Sequence, residues 1–121
     1  MPSHKKILIA EDDRAIVEAM TMILEDAGYV VSATMDGHTV LQLKHDLPDL
    51  ILLDVWMSGI DGREVCKKMK SQKNTKNIPI ILVSANRDVD VIAQEAGANG
   101  FLAKPFELKK LLGIVEEHIK H

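Results

Sequence analysis

The stretch PDLILLDVWMSGIDG, residues 48–62, decides the fold of this chain. Its apolar run at residues 50–53 has the length of a strand and no polar position on either face, which is typical of a buried strand in a parallel sheet. The run ends on the carboxylate of Asp54, and Trp56, the only tryptophan of the chain, follows shortly after. A buried strand that ends on a carboxylate indicates a polar site at one edge of the sheet.

Similar short apolar runs alternate with amphipathic helical segments along the whole chain. Together these runs predict strands at residues 6–10, 29–33, 50–54, 78–84 and 100–104. After the first strand, apolar residues from Ile16 to Ala27 recur at helical spacing, which predicts a helix that Gly28 closes. Repeated β-α units predict a doubly wound α/β sandwich with a five-stranded parallel sheet in the order 2-1-3-4-5.

The composition limits the class of protein. The chain has 121 residues, 46% hydrophobic and 27% charged, so a single domain over residues 1–121 can bury a core without a metal or disulfide staple. The formal net charge of −3 argues against a nucleic-acid-binding surface. Cys66 is the only cysteine, which favours a reducing compartment. No apolar run has the length of a signal peptide or a membrane span, so a cytoplasmic protein is expected.

Polar side chains stand where the predicted strands end. The first strand is followed by Glu11, Asp12 and Asp13, and the third, fourth and fifth strands end on Asp54, Ser84 and Lys104. In a sheet of this order, ligands bind beyond the carboxyl ends of the strands, near the gap between strands 1 and 3. Clustered carboxylates repel each other unless a cation intervenes, and Mg²⁺ suits such oxygen ligands, with Mn²⁺ as the alternative. A metal, an ammonium and a hydroxyl around a carboxylate can hold a phosphoryl group, with the carboxylate as nucleophile.

Four motifs in order, ILIAEDD, LLDVWMSGIDG, LVSA and GFLAKPF, resemble the receiver domain of bacterial two-component response regulators. The resemblance covers essentially the whole chain. It implies a flavodoxin-like fold and a phosphorylation-dependent switch that is not an enzyme in the usual sense, although it catalyses its own phosphorylation and slow dephosphorylation. The implied partner is a sensor histidine kinase or a histidine phosphotransfer protein. We expect no direct contact with nucleic acid or membrane, and a monomer or a phosphorylation-dependent dimer.

The resemblance also implies residue roles at the acidic end of the sheet. Asp54 becomes the phosphoacceptor. Glu11, Asp12 and Asp54, with the backbone carbonyl of Trp56, become the Mg²⁺ ligands. Asp13 lies outside this set, and we expect it to cap the first helix instead.

The remaining implied roles belong to the fourth and fifth strands. The hydroxyl of Ser84 and the backbone N–H of Ala85 contact the phosphoryl group, and Lys104 binds it. The bond between Lys104 and Pro105 is expected to be cis, which X–Pro bonds permit. Phe101 becomes the switch aromatic that responds to Ser84, with an ordinary core position as the alternative.

The sequence departs from the family pattern at three places. Ser58 stands where the family usually has proline, which loosens the turn without removing a ligand. Phe101 has no hydroxyl for the hydrogen bond that a tyrosine makes there. The segment GANGF lacks the paired aspartates of many winged-helix-linked receivers, which weakens the case for their kind of dimer.

Val91 and Ile114 lie off the inward stripes of their helices, on the face of helix 4, strand 5 and helix 5 that meets partners in the family.

Two other functions remain as alternatives. An aspartyl-nucleophile phosphatase commonly has an acid/base aspartate two residues after the nucleophile, where this chain has Trp56. A degenerate receiver that serves only as an interaction module is disfavoured by the intact set of acidic, hydroxyl and lysine residues.

The sequence is compatible with a stand-alone receiver and with a part of a longer regulator or hybrid kinase. Trp56 and Asn86 flank the water route in the family, which predicts slow autodephosphorylation.

Overall fold

The computed structural model describes residues 4–57 and 59–119, and Ser58, with the loosened turn expected there, lies outside them. Strands and helices alternate as the sequence predicts. In chain order the elements are β1 Lys6–Ala10, α1 Arg14–Asp26, β2 Val30–Thr34, α2 Gly37–Leu41, β3 Leu50–Asp54, β4 Trp56–Met57, β5 Ile60–Asp61, α3 Gly62–Ser71, β6 Ile80–Ser84, α4 Val89–Ala96, β7 Gly100–Ala103 and α5 Leu108–His118.

The main sheet has five parallel strands in the order β2-β1-β3-β6-β7. Because β6 and β7 are the fourth and fifth strands of this sheet, the predicted order is confirmed. Every residue of β3 and β6 is buried, which explains why both segments are apolar at consecutive positions. The two sides of the sheet carry separate cores, one including Ile51, Leu53 and Val65 and the other including Leu52 and Val115.

A small antiparallel ribbon follows β3, where the sequence predicted only a turn. In this ribbon of β4 and β5, Trp56 pairs with Asp61 and Met57 pairs with Ile60. Each strand has two residues, which is too short for an alternating pattern to reveal it. The ribbon fixes Trp56 next to the end of β3.

Strand and helix ends differ slightly from the prediction. The fourth strand begins at Ile80 and not at residue 78, because Pro79 has no N–H to donate to the ladder. Asp13 caps α1 as expected, since its Oδ1 accepts the N–H groups of Ala15 at 3.0 Å and Ile16 at 3.3 Å. Gly28, at φ 99°, follows the end of α1 in a left-handed conformation that suits glycine.

The two apolar residues expected to lie off the inward stripes behave differently. Val91 on α4 is 48% exposed, as predicted. Ile114 on α5 is only partly exposed and packs against the core that contains Leu111 and Val115, so its assignment as an outward residue was wrong. The reason is that α5 buries a wider stripe than spacings of three and four alone suggest.

Within the described part of the chain, no helix has the length and apolarity needed to span a bilayer.

Candidate functional site

The carboxyl ends of β1, β3, β6 and β7 bring the predicted polar residues to one edge of the sheet. A crevice of about 360 Å³ opens there. It is lined by Asp54, Trp56, Ser84, Ala85, Asn86 and Lys104. The crevice lies beyond the strand ends because neighbouring parallel strands all finish at this edge.

Three carboxylates meet beside the crevice. Glu11, Asp12 and Asp54 each present one oxygen within 4.8 Å of the other two. Glu11 is 2% exposed and Asp54 is 6% exposed. Oε2 of Glu11 accepts the N–H of Asp13 at 3.1 Å, and Oε1 is buried beside the ammonium of Lys104. Three carboxylates that converge in this way fit a hard divalent cation such as Mg²⁺.

Lys104 supplies positive charge to this acidic cluster. Its Nζ lies 2.7 Å from Oε1 of Glu11 and 3.6 Å from Oδ1 of Asp54. Burial lowers the pKa of Lys104, but its pairing with Glu11 and Asp54 outweighs burial and leaves the pKa above its usual value. The backbone N–H of Lys104 donates to the carbonyl of Ser84 at 2.9 Å, which fixes the strand end that carries the ammonium.

The protonation of Asp54 reflects the cost of burying its charge. Burial first, and then the charge of Glu11, raise the pKa of Asp54 to about 7, while Lys104 opposes the rise. Without a metal, the carboxyl of Asp54 therefore keeps its proton over most of the acidic range. A cation bound to the same oxygens favours the carboxylate instead.

The hydroxyl residue on β6 is buried, whereas the aromatic residue on the neighbouring strand β7 is exposed. Ser84 is 5% exposed, and its Oγ accepts the N–H of Asn86 at 3.0 Å. Ala85 lies exposed on the crevice wall. Phe101 is 42% exposed on β7, so it is not an ordinary core aromatic in this structure. The peptide bond from Lys104 to Pro105 is cis, as expected.

Trp56 has a partner that the sequence did not predict. Trp56 is 58% exposed and lines the crevice, and the guanidinium carbon of Arg63 lies 5.0 Å from the centroid of its ring. Arg63 is held in turn by Asp61. The sequence shows an aspartate at the start of a helix and an arginine two residues later, which indicates that these two side chains can pair. It does not indicate which aromatic ring the arginine contacts.

The fold and site together define a doubly wound α/β protein with an acidic pocket, a hydroxyl and a lysine at the strand ends. The sequence pattern of the response regulator receiver domain matches residues 7–116. The chain therefore belongs to the response regulator receiver domain family and is a receiver domain of two-component signalling.

Two response regulators are similar to this chain over part of their own length. It is 42% identical over 105 residues to the response regulator PleD of Caulobacter vibrioides, which covers 84% of this chain and 23% of PleD. It is 39% identical over 110 residues to the response regulator MprA of Mycolicibacterium vanbaalenii, covering 88% of this chain and 47% of MprA. The chain thus spans about a quarter and about half of these two relatives.

A solved receiver domain has the same fold. The receiver domain of sensor histidine kinase PA1611 from Pseudomonas aeruginosa PAO1 superposes with a TM-score of 0.86 and 28% sequence identity. The match covers 96% of this chain and 98% of that one. The PA1611 receiver was solved with a magnesium ion coordinated in its active site cleft.

Proposed function

We propose that the chain accepts a phosphoryl group on Asp54 from a phosphohistidine of a sensor histidine kinase or a histidine phosphotransfer protein, with Mg²⁺ bound at the acidic cluster. One observation carries this proposal. The buried carboxylate of Asp54 faces the crevice that Ser84 and Lys104 also line, and one of its oxygens lies within 4.8 Å of those of Glu11 and Asp12. The magnesium-bound PA1611 receiver supports the choice of metal.

The transfer step needs an ionised nucleophile and a neutralised phosphoryl group. An oxygen of Asp54 attacks phosphorus in line, and the bond from phosphorus to the partner's imidazole nitrogen breaks. Its electron pair remains on the imidazole, which then takes up a proton. Lys104, the hydroxyl of Ser84 and the N–H of Ala85 hold the phosphoryl oxygens. Mg²⁺, or Mn²⁺ in its place, would be held by Glu11, Asp12, Asp54 and the Trp56 carbonyl and would neutralise charge on the phosphoryl oxygens.

The product is read out through one face of the domain. Ser84 and Ala103 are paired in register across β6 and β7, and Phe101 lies two residues earlier on β7. Movement of the Ser84 side chain toward the phosphoryl group frees space on this face that Phe101 can occupy. The face of α4, β7 and α5 then has two states, and the exposed Val91 lies on it as a partner contact.

Several features of the whole protein belong to the same proposal. The chain acts in the cytoplasm, as a monomer or as a dimer that forms on phosphorylation, and it makes no direct contact with nucleic acid or membrane. The single cysteine, Cys66, is buried and unpaired, in keeping with a reducing compartment. A phosphatase is disfavoured because Trp56, at the position of the expected second acid, cannot act as a general acid or base.

The proposal is tested by exposing the protein to acetyl phosphate and Mg²⁺ and measuring its intact mass. Asp54 would take the phosphoryl group with acetate as the leaving group, so the mass should rise by one phosphoryl group. The Asp54→Asn variant should gain nothing. A parent protein that never gains mass would favour the alternative of an interaction module.

The indole of Trp56 is expected to slow the loss of the phosphoryl group. It lines the crevice with Asn86, where a large ring restricts the approach of water to phosphorus. In the Trp56→Asn variant, the half-life should fall about three- to tenfold, which corresponds to roughly 1 kcal/mol of barrier. The Met22→Gln variant, which changes an exposed residue on α1, is the matched control and should keep the parent half-life. Equal half-lives for Trp56→Asn and the parent would show that the indole does not shield the site.

A further inference from the structure

A charged side chain outside the crevice holds the indole that lines it. Trp56 contributes to the crevice wall beside Asp54. The guanidinium carbon of Arg63 lies 5.0 Å from the centroid of the Trp56 ring, within the range of a cation–π contact. Trp56 therefore lines the crevice while its ring contacts a fixed cation.

Arg63 is fixed by its own hydrogen bonds. Its Nε donates to both carboxylate oxygens of Asp61 at 3.0 and 3.1 Å, and its Nη2 donates to Oδ2 of Asp61 at 2.7 Å. The backbone N–H of Arg63 also donates to Oδ1 of Asp61 at 2.9 Å, as part of the N-cap of α3. Such a fork restricts the guanidinium in direction as well as distance.

Asp61 closes a ring of contacts back to the tryptophan. Asp61 and Trp56 face each other in the β4–β5 ribbon. The N–H of Gly62, the next residue, donates to the carbonyl of Val55 at 2.6 Å. Trp56, Asp61 and Arg63 thus form a closed unit, the indole clamp, whose base is bonded to the residue that directly follows Asp54.

We propose that Arg63 is a positioning residue that keeps the Trp56 indole at the mouth of the crevice and so sets the lifetime of the phosphorylated domain. This inference rests on the proposed function. In the hydrolysis that ends the signal, water attacks phosphorus and the bond from phosphorus to the Asp54 oxygen breaks. The products are the Asp54 carboxylate and inorganic phosphate, with release of a proton. A held indole stays in the path of that water, whereas a free indole leaves the path open for part of the time.

The test compares two changes of charge on α3. Arg63→Met removes the guanidinium and keeps an unbranched side chain, and Lys67→Met makes the same change of charge at an exposed residue one turn later. Each protein is phosphorylated with acetyl phosphate and Mg²⁺, the donor is removed, and the loss of the phosphoryl group is followed by intact mass. Acrylamide quenching of the single tryptophan is measured on the unphosphorylated proteins.

The indole clamp predicts a specific pattern. Arg63→Met should shorten the half-life about two- to fivefold, the factor that corresponds to one exposed cation–π contact, and should make quenching steeper. Lys67→Met should match the parent in both measurements. In a Trp56→Ala background, Arg63→Met should change the half-life no further. Arg63→Lys, which keeps a cation and loses the fork, should give an intermediate half-life, and it carries the comparison if Arg63→Met does not fold.

Two outcomes would overturn the inference, and they are distinguishable from failure of the proposed function. If Arg63→Met leaves the half-life unchanged, or shortens it equally without Trp56, Arg63 does not act through the indole and the phosphoryl-transfer proposal still stands. If the parent protein gains no phosphoryl group at all, the proposed function fails and the role of Arg63 fails with it.

Discussion

Replacing Asp54 by asparagine is expected to stabilise the metal-free protein at neutral pH. Burial and the charge of Glu11 raise the pKa of Asp54 to about 7 from a reference value of 3.8. A carboxyl whose pKa is higher in the folded state destabilises the fold once it ionises. The variant should gain about 1–3 kcal/mol of unfolding free energy at pH 7.5, since one pKa unit is worth about 1.4 kcal/mol and the open crevice admits some water.

The sign of this effect sets its pH dependence. Near the reference pKa and below it, Asp54 is protonated in both the folded and the unfolded state, so the variant gains little. As the pH rises toward about 7, the unfolded chain is ionised while the folded protein still holds the proton, and the parent loses stability. Above that pH, Asp54 is ionised in both states, so the difference in unfolding free energy between the variant and the parent no longer grows. The gain of the variant therefore grows between about pH 4 and pH 7.

Urea unfolding with EDTA, followed by the fluorescence of Trp56, measures this gain across the pH range. Asp26→Asn is the control, because Asp26 is exposed at the end of α1 and its replacement should have a small effect on stability. With Mg²⁺ present the gain should shrink or reverse, because the metal stabilises only the protein that keeps the carboxylate. An equal effect of Asp54→Asn at pH 5 and pH 8 would contradict this account of the site.

Replacing Gly62 by alanine is expected to cost about 2–3 kcal/mol of stability, because the added methyl group has no room. Gly62 is the first residue of α3. A Cβ there would overlap the backbone carbonyl oxygen of Asp54 and lie 2.9 Å from the Cα of Val55. These neighbours are backbone atoms next to the site, so the strand end itself has to move.

Gly113→Ala is the matched control for this prediction. Gly113 lies within α5, and a Cβ there would meet no atom within 4 Å. This variant should gain about 0.5–1 kcal/mol, because alanine is the better helix former. Chemical denaturation of both variants measures the two effects. A Gly62→Ala protein as stable as the parent would show that the start of α3 is not packed as closely against the end of β3 as the structure indicates.

The strands of the parallel sheet could be predicted because their signals lie within short segments, and their order followed from the common arrangement of repeated β-α units. Strands β3 and β6 are buried at every position, so they read as continuous apolar runs, which only a sheet covered on both faces explains. The capping role of Asp13 was also local, since its side chain bonds the N–H groups two and three residues later. The polar residues at the strand ends could be grouped because parallel strands finish at one edge.

Other features depend on contacts that no local pattern contains. The β4–β5 ribbon is too short for a period, and the contact between Arg63 and the Trp56 ring depends on where that ribbon places the indole. The pairing of Lys104 with Glu11, at 2.7 Å, is closer than its pairing with Asp54, although both carboxylates lie at the carboxyl ends of buried strands. The partial burial of Ile114 depends on how α5 packs against the sheet. These features come from tertiary structure.

The most direct test of the central claim is to locate the phosphoryl group on the chain. After incubation with acetyl phosphate and Mg²⁺, borohydride reduces an aspartyl phosphate to homoserine, and peptide mass spectrometry shows which residue has changed. The account predicts homoserine at position 54 and no reduced side chain at the neighbouring carboxylates, Glu11 and Asp12. Reduction of another carboxylate in place of Asp54 would contradict it.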